Sequence, residues 1–235
     1  MKINIFEKGF NYSQDGPGNR LVYHLSGCNM ICPWCSNPEG MENNGKEYTT
    51  EEIIHEIRSS APMFFDNGGV TFTGGECTLQ ADAVIEIINI IPEVNFCTES
   101  NASTKGFLKV AEKCDTVIVD YKSPDAVKLK EICGANLQII EDNIRKIAEE
   151  KYIHIRIPFI HGFNDDDDSI DGFLKFFTSL RGEFDVEILP YHEYGKEKWK
   201  KTGREYTVTD GYVSKEKINK FIDLMQKNAI RVIKT

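Results

Sequence analysis

Residues 27–40 have the sequence GCNMICPWCSNPEG, and the rest of the chain is best interpreted outward from this segment. It carries Cys28, Cys32 and Cys35 at C-x3-C-x2-C spacing. Three thiolates in one short loop can converge on one inorganic centre, whereas unconnected core thiols are not typical of this spacing. Two chemistries remain open. A structural zinc ion needs a fourth ligand, for which Cys77 is a candidate, while an iron–sulfur cluster held by three cysteines leaves one iron open.

Short apolar segments alternate with helical patterns along the chain. Strands are expected at 20–26, 69–73, 94–98, 116–120, 153–159 and 183–189, with a small extra strand at 2–6. Apolar residues at helical spacing fall between them, near 81–88, 137–148, 170–177 and 218–225, and another helix begins near Thr49 or Thr50. This order predicts a parallel sheet with right-handed crossovers. Six units are too few for a closed eight-fold barrel.

The expected fold class is therefore α/β, an open, partial parallel (β/α)6 barrel, with a flat doubly wound sheet as the alternative. In either case the active site lies at the carboxyl ends of the strands. The acidic run at 165–168 suits the N-terminus of the helix that follows it, because the helix dipole is positive there. No linker or repeat divides the sequence, so residues 1–235 are expected to form a single domain.

Composition excludes several classes of function. The chain has 235 residues, 40% hydrophobic and 28% charged, with a formal net charge of −9. Nucleic-acid binding and anionic membrane surfaces are disfavoured, because both need an excess of Lys and Arg. No apolar run is long enough to span a membrane and no secretory signal is visible, so a cytoplasmic location is expected. Seven cysteines, an odd number, argue against a disulfide framework.

Five further segments complete a recognisable set. They are DGPGNR (15–20), TFTGGEC (71–77), VDYK (119–122), IRIPFIHGFNDD (155–166) and LPYHEYGKEKW (189–199). Together with the cysteine loop, in this order and with these gaps, they resemble the motifs of the radical S-adenosylmethionine (SAM) enzymes that activate glycyl radical enzymes, and the pyruvate formate-lyase type in particular. The resemblance covers nearly the whole chain. The interval between Cys35 and Gly74 is too short for the ferredoxin-like insert that some activating enzymes carry.

The resemblance implies a reaction and its cofactors. A [4Fe-4S] cluster on Cys28, Cys32 and Cys35 holds SAM through its open iron. Reduction of the cluster cleaves SAM to methionine and a 5′-deoxyadenosyl radical, which takes hydrogen from a backbone glycine of a partner enzyme. The cofactors carry this chemistry, and the protein binds, orients and excludes competing reactions.

The resemblance also assigns site residues. SAM is expected to lie against residues of six segments: Trp34, Ser36 and Asn37; Gly74, Gly75 and Glu76; Glu99 and Ser100; Asp120, Tyr121 and Lys122; Arg156; and His192. A monovalent cation is expected near Glu99 and Ser100. The turn formed by Asp15, Gly16, Pro17 and Gly18, with Arg20, is expected to contact the glycine loop of the partner. Reduced flavodoxin or ferredoxin is the expected electron donor, and a monomer the expected state.

Four positions depart from the family pattern. Cys77 follows the G-G-E motif in place of Pro or Ala, His161 stands where Pro is usual, and Ser36 replaces a common His. Residues 99–102, ESNA, lack the usual terminal Gly. These differences leave the partner open. The alternative function is radical SAM chemistry on a small molecule, and a third hypothesis is a zinc-stabilised binding protein.

Overall fold

The computed structural model describes residues 1–234 of the chain. Two compact α/β units are distinguished: the first comprises residues 1–29 and 37–118, and the second comprises residues 30–36 and those from 119 onward. No disulfide joins any of the seven cysteines, all of which lie within the described residues. Among residues 1–234, no helix is both long and apolar enough to cross a membrane.

Five strands and three helices build most of the first unit. In chain order they are β1 (Lys2–Tyr12), β2 (Asn19–Leu25), β3 (Lys46–Thr49), α1 (Thr50–Ser60), β4 (Gly69–Gly74), α2 (Ala81–Ile90), β5 (Phe96–Ser100) and α3 (Phe107–Ala111). The strand order is β3-β1-β2-β4-β5. Strand β6 (Thr116–Asp120) carries the chain from the first unit into the second.

Strand direction places the motifs of this unit at two opposite sides of the sheet, one at the carboxyl ends and one at the amino ends of β2 and β4. Strands β2 and β4 are parallel, with register from Arg20 opposite Gly69 to Leu25 opposite Gly74. The segments that follow these strands therefore start at the same edge. Strand β1 is antiparallel to β2, with Tyr12 opposite Asn19, so the turn between them lies at the other edge.

The second unit combines parallel strands with longer helices. Its elements are α4 (Ala126–Lys128), α5 (Leu137–Glu150), β7 (Ile153–Phe159), α6 (Asp167–Ser179), β8 (Phe184–Pro190), α7 (Lys196–Lys201), α8 (Lys215–Lys227) and β9 (Val232–Ile233). A π-helical turn, Leu129–Cys133, follows α4. Strands β7, β8 and β9 are adjacent and parallel.

Every strand expected from the sequence is present, and the differences concern lengths and additions. Strand β1 extends to Tyr12 rather than ending near residue 6, because residues 7–12 pair with β2. Strands β3 and β9 are additions that the sequence did not predict. The acidic run lies at a helix N-terminus as expected, but α6 begins within the run, at Asp167, rather than after it, because the Asp166 carboxylate caps the helix by accepting a hydrogen bond from the Ser169 amide (3.0 Å).

Candidate active site

Cys28 begins the cysteine loop directly beyond the carboxyl end of β2. Its side chain is partly exposed, and its amide donates to the carbonyl of Met41 (3.2 Å). The amide of Gly27 donates to the carbonyl of Gly40 (2.9 Å). These two bonds fix the start of the loop against the short 3-10 turn that contains residues 38–41.

The two glycines of the G-G-E motif are required by close backbone approach. Gly74 has φ of +118°, a conformation that side chains disfavour. A Cβ on Gly75 would lie 2.2 Å from the carbonyl oxygen of Gly40 and 2.3 Å from that of Gly27. The Glu76 amide also donates to the Gly27 carbonyl (2.8 Å). The motif is therefore joined directly to the segment that leads into Cys28.

Glu76 is buried and connects the ends of β4 and β5. Its carboxylate accepts hydrogen bonds from the Ser100 hydroxyl (2.7 Å), the Asn101 amide (2.8 Å) and the Thr78 amide (3.1 Å). Burial raises the pKa of Glu76 even though these bonds favour its charged form. The side chains of Glu76 and Ser100 are therefore engaged with each other.

Glu99 and Cys77 lie in the same region of the first unit. The Glu99 carboxylate accepts from the Thr73 hydroxyl (3.0 Å). Cys77 is fully buried beside the Thr98 hydroxyl (3.3 Å), and burial together with the Glu76 carboxylate raises the pKa of its thiol well above the ordinary value. Cys77 is therefore held as a neutral thiol.

The second unit holds the other two cysteines of the loop. The Cys35 amide donates to the Cys32 carbonyl (3.1 Å), which closes a tight turn. The Trp199 indole N–H donates to the Cys35 carbonyl (2.9 Å), and a Cβ on Gly195 would lie 2.4 Å from that same oxygen. The ring of Trp34 packs against Phe163, with centroids 4.5 Å apart. Segment 195–199 therefore supports the last cysteine, a contact that the sequence motif did not predict.

The surroundings of Cys32 favour its thiolate. The hydrogen bond from the Cys133 thiol lowers the pKa of Cys32, burial opposes this, and Lys122 adds to the lowering. Lys122 is paired with Asp120 (2.8 Å). Burial disfavours the ammonium, but the Asp120 carboxylate and the Cys32 sulfur outweigh it, so the pKa of Lys122 lies above its ordinary value. The permanently charged ammonium of Lys122 therefore lies beside Cys32, where it can bind an anionic group.

Tyr121 does not share the placement of its neighbours Asp120 and Lys122. Successive side chains of an extended strand point to opposite faces. Tyr121 is fully buried, its ring contacts Phe173, Phe176 and Phe177, and its hydroxyl donates to Glu141 (2.7 Å). The expected SAM contact of this side chain is therefore wrong: Tyr121 packs against α5 and α6.

Arg156 belongs to a buried charged ladder formed by His154, Arg156, Asp185 and Glu187. On β7 and β8, His154 lies opposite Asp185 and Arg156 opposite Glu187. Arg156 Nε donates to Glu187 (3.0 Å), and His154 bonds both Asp185 and Glu187, the latter at 3.1 Å. Burial disfavours the imidazolium, but both carboxylates outweigh it and raise the pKa of His154. Charged residues at alternate positions in otherwise apolar strands are the signal that could have revealed this ladder.

His192 lies beyond β8, partly buried and stacked on Tyr194 with ring centroids 4.3 Å apart. Burial lowers the pKa of His192, so the imidazole is neutral at pH 7. Ser36, the other predicted contact of this unit, lies close to Gly195, where an added Cβ would be 2.7 Å from the Ser36 Cα. Asn37 belongs to the first unit, where its carbonyl accepts from the Gly40 amide (3.0 Å).

The turn at 15–18 lies at the amino end of β2, away from Cys28 at the other end of that strand. Asp15, Gly16 and Pro17 are at least partly exposed, and Gly18 has φ of +70°. Arg20 is fully buried. It donates to neutral acceptors, which are Thr71 Oγ1, Asn95 Oδ1 and the carbonyls of Pro17, Asn67, Val70 and Asn95. The expected direct contact of Arg20 with a partner is therefore corrected: its side chain holds the turn in shape.

The cysteine chemistry fits an iron–sulfur cluster. The loop supplies three thiols, two of them partly exposed, and Cys32 is biased toward the thiolate that iron requires. Among residues 1–234, no three His, Cys, Asp or Glu side chains are grouped closely enough to hold a single metal ion. An iron–sulfur cluster does not require its cysteines to converge on one ion, because each cysteine bonds a separate iron atom.

Comparison with known proteins gives concordant matches. A model of the Radical SAM superfamily matches residues 22–174. The chain is 32% identical to a pyruvate formate-lyase-activating enzyme of Staphylococcus aureus (strain USA300), over 83% of this chain and 84% of that protein. It is 28% identical to a 4-hydroxyphenylacetate decarboxylase activating enzyme of Clostridioides difficile (strain 630), over 92% and 90%. A solved domain of a pyruvate-formate lyase-activating enzyme from Bacteroides vulgatus ATCC 8482 superposes with a TM-score of 0.56 at 26% identity, covering 71% of this chain and 98% of that domain.

Proposed function

The chain belongs to the radical SAM superfamily, and from that premise we propose that its substrate is the glycine loop of a formate-lyase type glycyl radical enzyme. The predicted family, the α/β fold class of the radical SAM type, and the [4Fe-4S] cluster and SAM as cofactors are confirmed. The chain is a radical SAM activating enzyme that uses a [4Fe-4S] cluster and SAM. When bound, these cofactors supply the 5′-deoxyadenosyl radical that abstracts hydrogen from the partner's glycine.

One observation carries the choice of substrate. Two relatives that match over more than four fifths of this chain are both activating enzymes, one for pyruvate formate-lyase and one for 4-hydroxyphenylacetate decarboxylase. The turn at 15–18 adds support as a partner contact outside the cysteine loop, because buried Arg20 holds a partly exposed Asp-Gly-Pro in a defined shape at the amino end of β2. A small-molecule enzyme has no evident need for such a surface. Pyruvate formate-lyase is the partner we propose first.

We assign the residues of this chain as follows. Cys28, Cys32 and Cys35 bind the cluster, and Lys122 neutralises the SAM carboxylate, since it is a partly buried and permanent cation. The remaining SAM contacts are assigned to Trp34, Ser36, Asn37, Gly74, Gly75, Glu99, Asp120, Arg156 and His192, with Glu76 and Ser100 as the support beneath them. Asp15, Gly16, Pro17 and Gly18 contact the partner. A monovalent cation near the Glu99 carboxylate completes the assignment.

The wider setting follows from the same chemistry. Thiolate ligands must stay reduced, which favours the cytoplasm. Reduced flavodoxin or ferredoxin suits a reaction that needs one electron at a time. We propose a monomer that works as a single radical SAM domain, and the absence of any cysteine between Cys35 and Gly74 in the sequence agrees with a domain that has no ferredoxin-like insert.

The test uses the full chain, reconstituted with iron and sulfide without oxygen, reduced with dithionite and mixed with SAM and purified pyruvate formate-lyase. The proposal predicts a glycyl radical signal by electron paramagnetic resonance (EPR) and 5′-deoxyadenosine in matching amount. A partner in which the radical glycine is replaced by Ala is the control and gives no signal. A signal with 4-hydroxyphenylacetate decarboxylase alone would change the partner. SAM cleavage that neither enzyme couples to a protein radical would favour the small-molecule alternative.

A further inference from the structure

Segment 196–204, KEKWKKTGR, contains α7 and the residues that follow it, and we call it the basic segment. It carries four lysines and one arginine but one acidic residue, in a chain whose formal net charge is −9. None of these charged residues has a part in the assignments above. Positive charge collected on one short segment of an acidic protein therefore calls for an explanation of its own.

The basic segment is fixed to the cysteine loop by direct contacts, all within the second unit. Trp199 is the buried residue of α7, and its indole N–H donates to the Cys35 carbonyl (2.9 Å). Gly195, directly before α7, lies so close that an added Cβ would be 2.4 Å from the same oxygen and 2.7 Å from the Ser36 Cα. A partner that binds the basic segment is therefore held beside the last cysteine of the loop.

Charged and aromatic side chains of this region face solvent. Lys200 and Lys201 are exposed, and Lys200 pairs with Glu197 (2.7 Å). Both members of that pair are more than two thirds exposed, and such pairs contribute little to stability, so Lys200 can exchange Glu197 for a carboxylate of another protein. Tyr194, two residues before the basic segment, is 83% exposed. Protein interfaces combine aromatic side chains with a polar rim, which fits Tyr194 and the lysines that follow it.

The charge indicates an acidic partner. A chain of net charge −9 repels other acidic proteins at long range, whereas a local group of cations attracts them within a Debye length of about 8 Å. Complementary patches of this kind guide the encounter and orient the partner. Nucleic acid is also anionic, but its binding needs a surplus of Lys and Arg that this chain does not have. A protein with an acidic surface is therefore the partner that the charge fits best.

The position of the basic segment indicates what that partner does. The glycine loop of the substrate enzyme is assigned to the turn at 15–18, in the first unit, whereas the basic segment contacts the proposed cluster ligand Cys35. The cluster must receive an electron before SAM is cleaved, and electron-transfer proteins typically form small, transient interfaces. A short charged surface next to a cluster ligand meets that requirement.

We propose that the basic segment is the docking surface for an acidic one-electron donor protein of the flavodoxin class. This inference rests on the proposed function in one respect, which is that Cys35 holds the cluster. The donor is oxidised by one electron and the cluster, when bound, is reduced by one, and no covalent bond forms or breaks. The contacts of Trp199 and Gly195 keep the docked protein beside the cysteine loop.

The experiment compares the unchanged full chain with three variants after oxygen-free reconstitution. Two variants alter the basic segment: Lys200→Glu with Lys201→Glu reverses two charges, and Lys200→Gln with Lys201→Gln removes them. The matched control, Lys146→Glu with Lys175→Glu, makes the same change in net charge as the reversal at exposed positions of α5 and α6. Association of a purified flavodoxin of acidic net charge is measured at low and at high salt. SAM cleavage is then driven by reduced flavodoxin and, separately, by dithionite, which needs no docking surface.

The proposal predicts that charge reversal slows the association of flavodoxin by about 10-fold at low salt and much less at high salt. The neutral variant shows a smaller loss, and the control is unchanged. Cleavage driven by flavodoxin falls in parallel, while cleavage driven by dithionite stays within about twofold. If charge reversal disturbs the dithionite reaction, the neutral variant decides. Unchanged association in both variants of the basic segment, or an equal loss in the control, would overturn the proposal.

Two further results would overturn the proposal in favour of another partner. Loss of binding to a short single-stranded RNA, with unchanged flavodoxin association, would assign the basic segment to nucleic acid. Weaker activation of pyruvate formate-lyase with dithionite, at normal SAM cleavage, would assign it to the substrate enzyme. Failure of the proposed function is distinguishable from both: an unchanged chain that does not cleave SAM with dithionite refutes that function, whereas flavodoxin association still tests the docking surface.

Discussion

Cys32 and Cys77 are both buried cysteines that follow a motif strand, yet their surroundings have opposite effects. Cys32, in the second unit, receives a hydrogen bond from Cys133 and lies near Lys122, which together lower the pKa of its thiol. Cys77, in the first unit, is fully buried and lies near the Glu76 carboxylate, and burial together with that charge raises the pKa of its thiol. Burial alone therefore does not distinguish a cluster ligand from a core thiol. The donors and charges beside the sulfur do.

The largest contrast is expected from replacing each of the two cysteines by Ser. Cys32→Ser should lose most of its iron and lower SAM cleavage by about 100-fold or more, because ligand loss removes the cluster. Cys77→Ser should retain both within about twofold, since a hydroxyl can keep the bond to Thr98. Iron content and 5′-deoxyadenosine formation measure the contrast. Equal losses in both variants would remove the distinction between the two sites.

Lys122→Met tests whether charge, rather than packing, distinguishes the surroundings of Cys32 from those of Cys77. Removing one partner of a partly buried ion pair leaves Asp120 uncompensated and removes the proposed partner of the SAM carboxylate, so SAM affinity should fall by about 10-fold or more. Equilibrium binding of SAM to the cluster-loaded chain is the measurement. Lys128→Met, which breaks the more exposed pair with Asp166, is the control and should bind SAM normally. Normal affinity in Lys122→Met would contradict the assignment.

Trp199→Phe tests the support of Cys35 and should have a smaller effect. It removes the indole N–H and leaves the Cys35 carbonyl without that donor, at a cost of about 1–3 kcal/mol. We expect faster loss of iron to a chelator, with the same iron content at the start. Trp34→Phe, which alters an indole of the same loop that packs on Phe163, provides the comparison. An unchanged rate in Trp199→Phe would show that this bond does not stabilise the loop.

The smallest effect is expected from a change of pH at His154. As for Cys32, the neighbouring groups of His154 shift its pKa. Because the folded pKa of His154 is raised above 6.5, its stabilisation is fully present below about pH 6.5 and is lost as pH rises through the folded value. Thermal unfolding of the unchanged chain and of His154→Gln should therefore differ most near pH 6 and converge at higher pH. His55→Gln, at an exposed position, is the control. A constant difference from pH 6 to pH 9 would contradict this account.

The sequence could predict what depends on local pattern. The six main strands, the helix whose N-terminus carries the acidic run and the placement of Cys28 beyond a strand follow from apolar periodicity and turn residues. The G-G-E motif was also predictable as a site of close backbone approach, and the structure gives the reason at Gly75. The cofactors were predicted from the resemblance of the motifs to those of the radical SAM enzymes.

What the sequence could not predict depends on contacts between distant segments. Cys133 and Trp199 reach the cysteine loop from far along the chain, and no local pattern marks either as its neighbour. Arg20 and Tyr121 show the opposite error, because a motif indicates that a residue matters without showing where its side chain points. Arg20 is satisfied by carbonyl and amide oxygens, and Tyr121 packs in an aromatic core.

The central claim is that three cysteines hold the cluster and leave one iron for SAM. Mössbauer spectroscopy of the full chain reconstituted with 57Fe, recorded before and after SAM is added, tests it most directly. The account predicts that the signal of one iron in four changes on addition of SAM, while the other three keep the signature of sulfur-only coordination. Four equivalent irons that do not respond to SAM would contradict it.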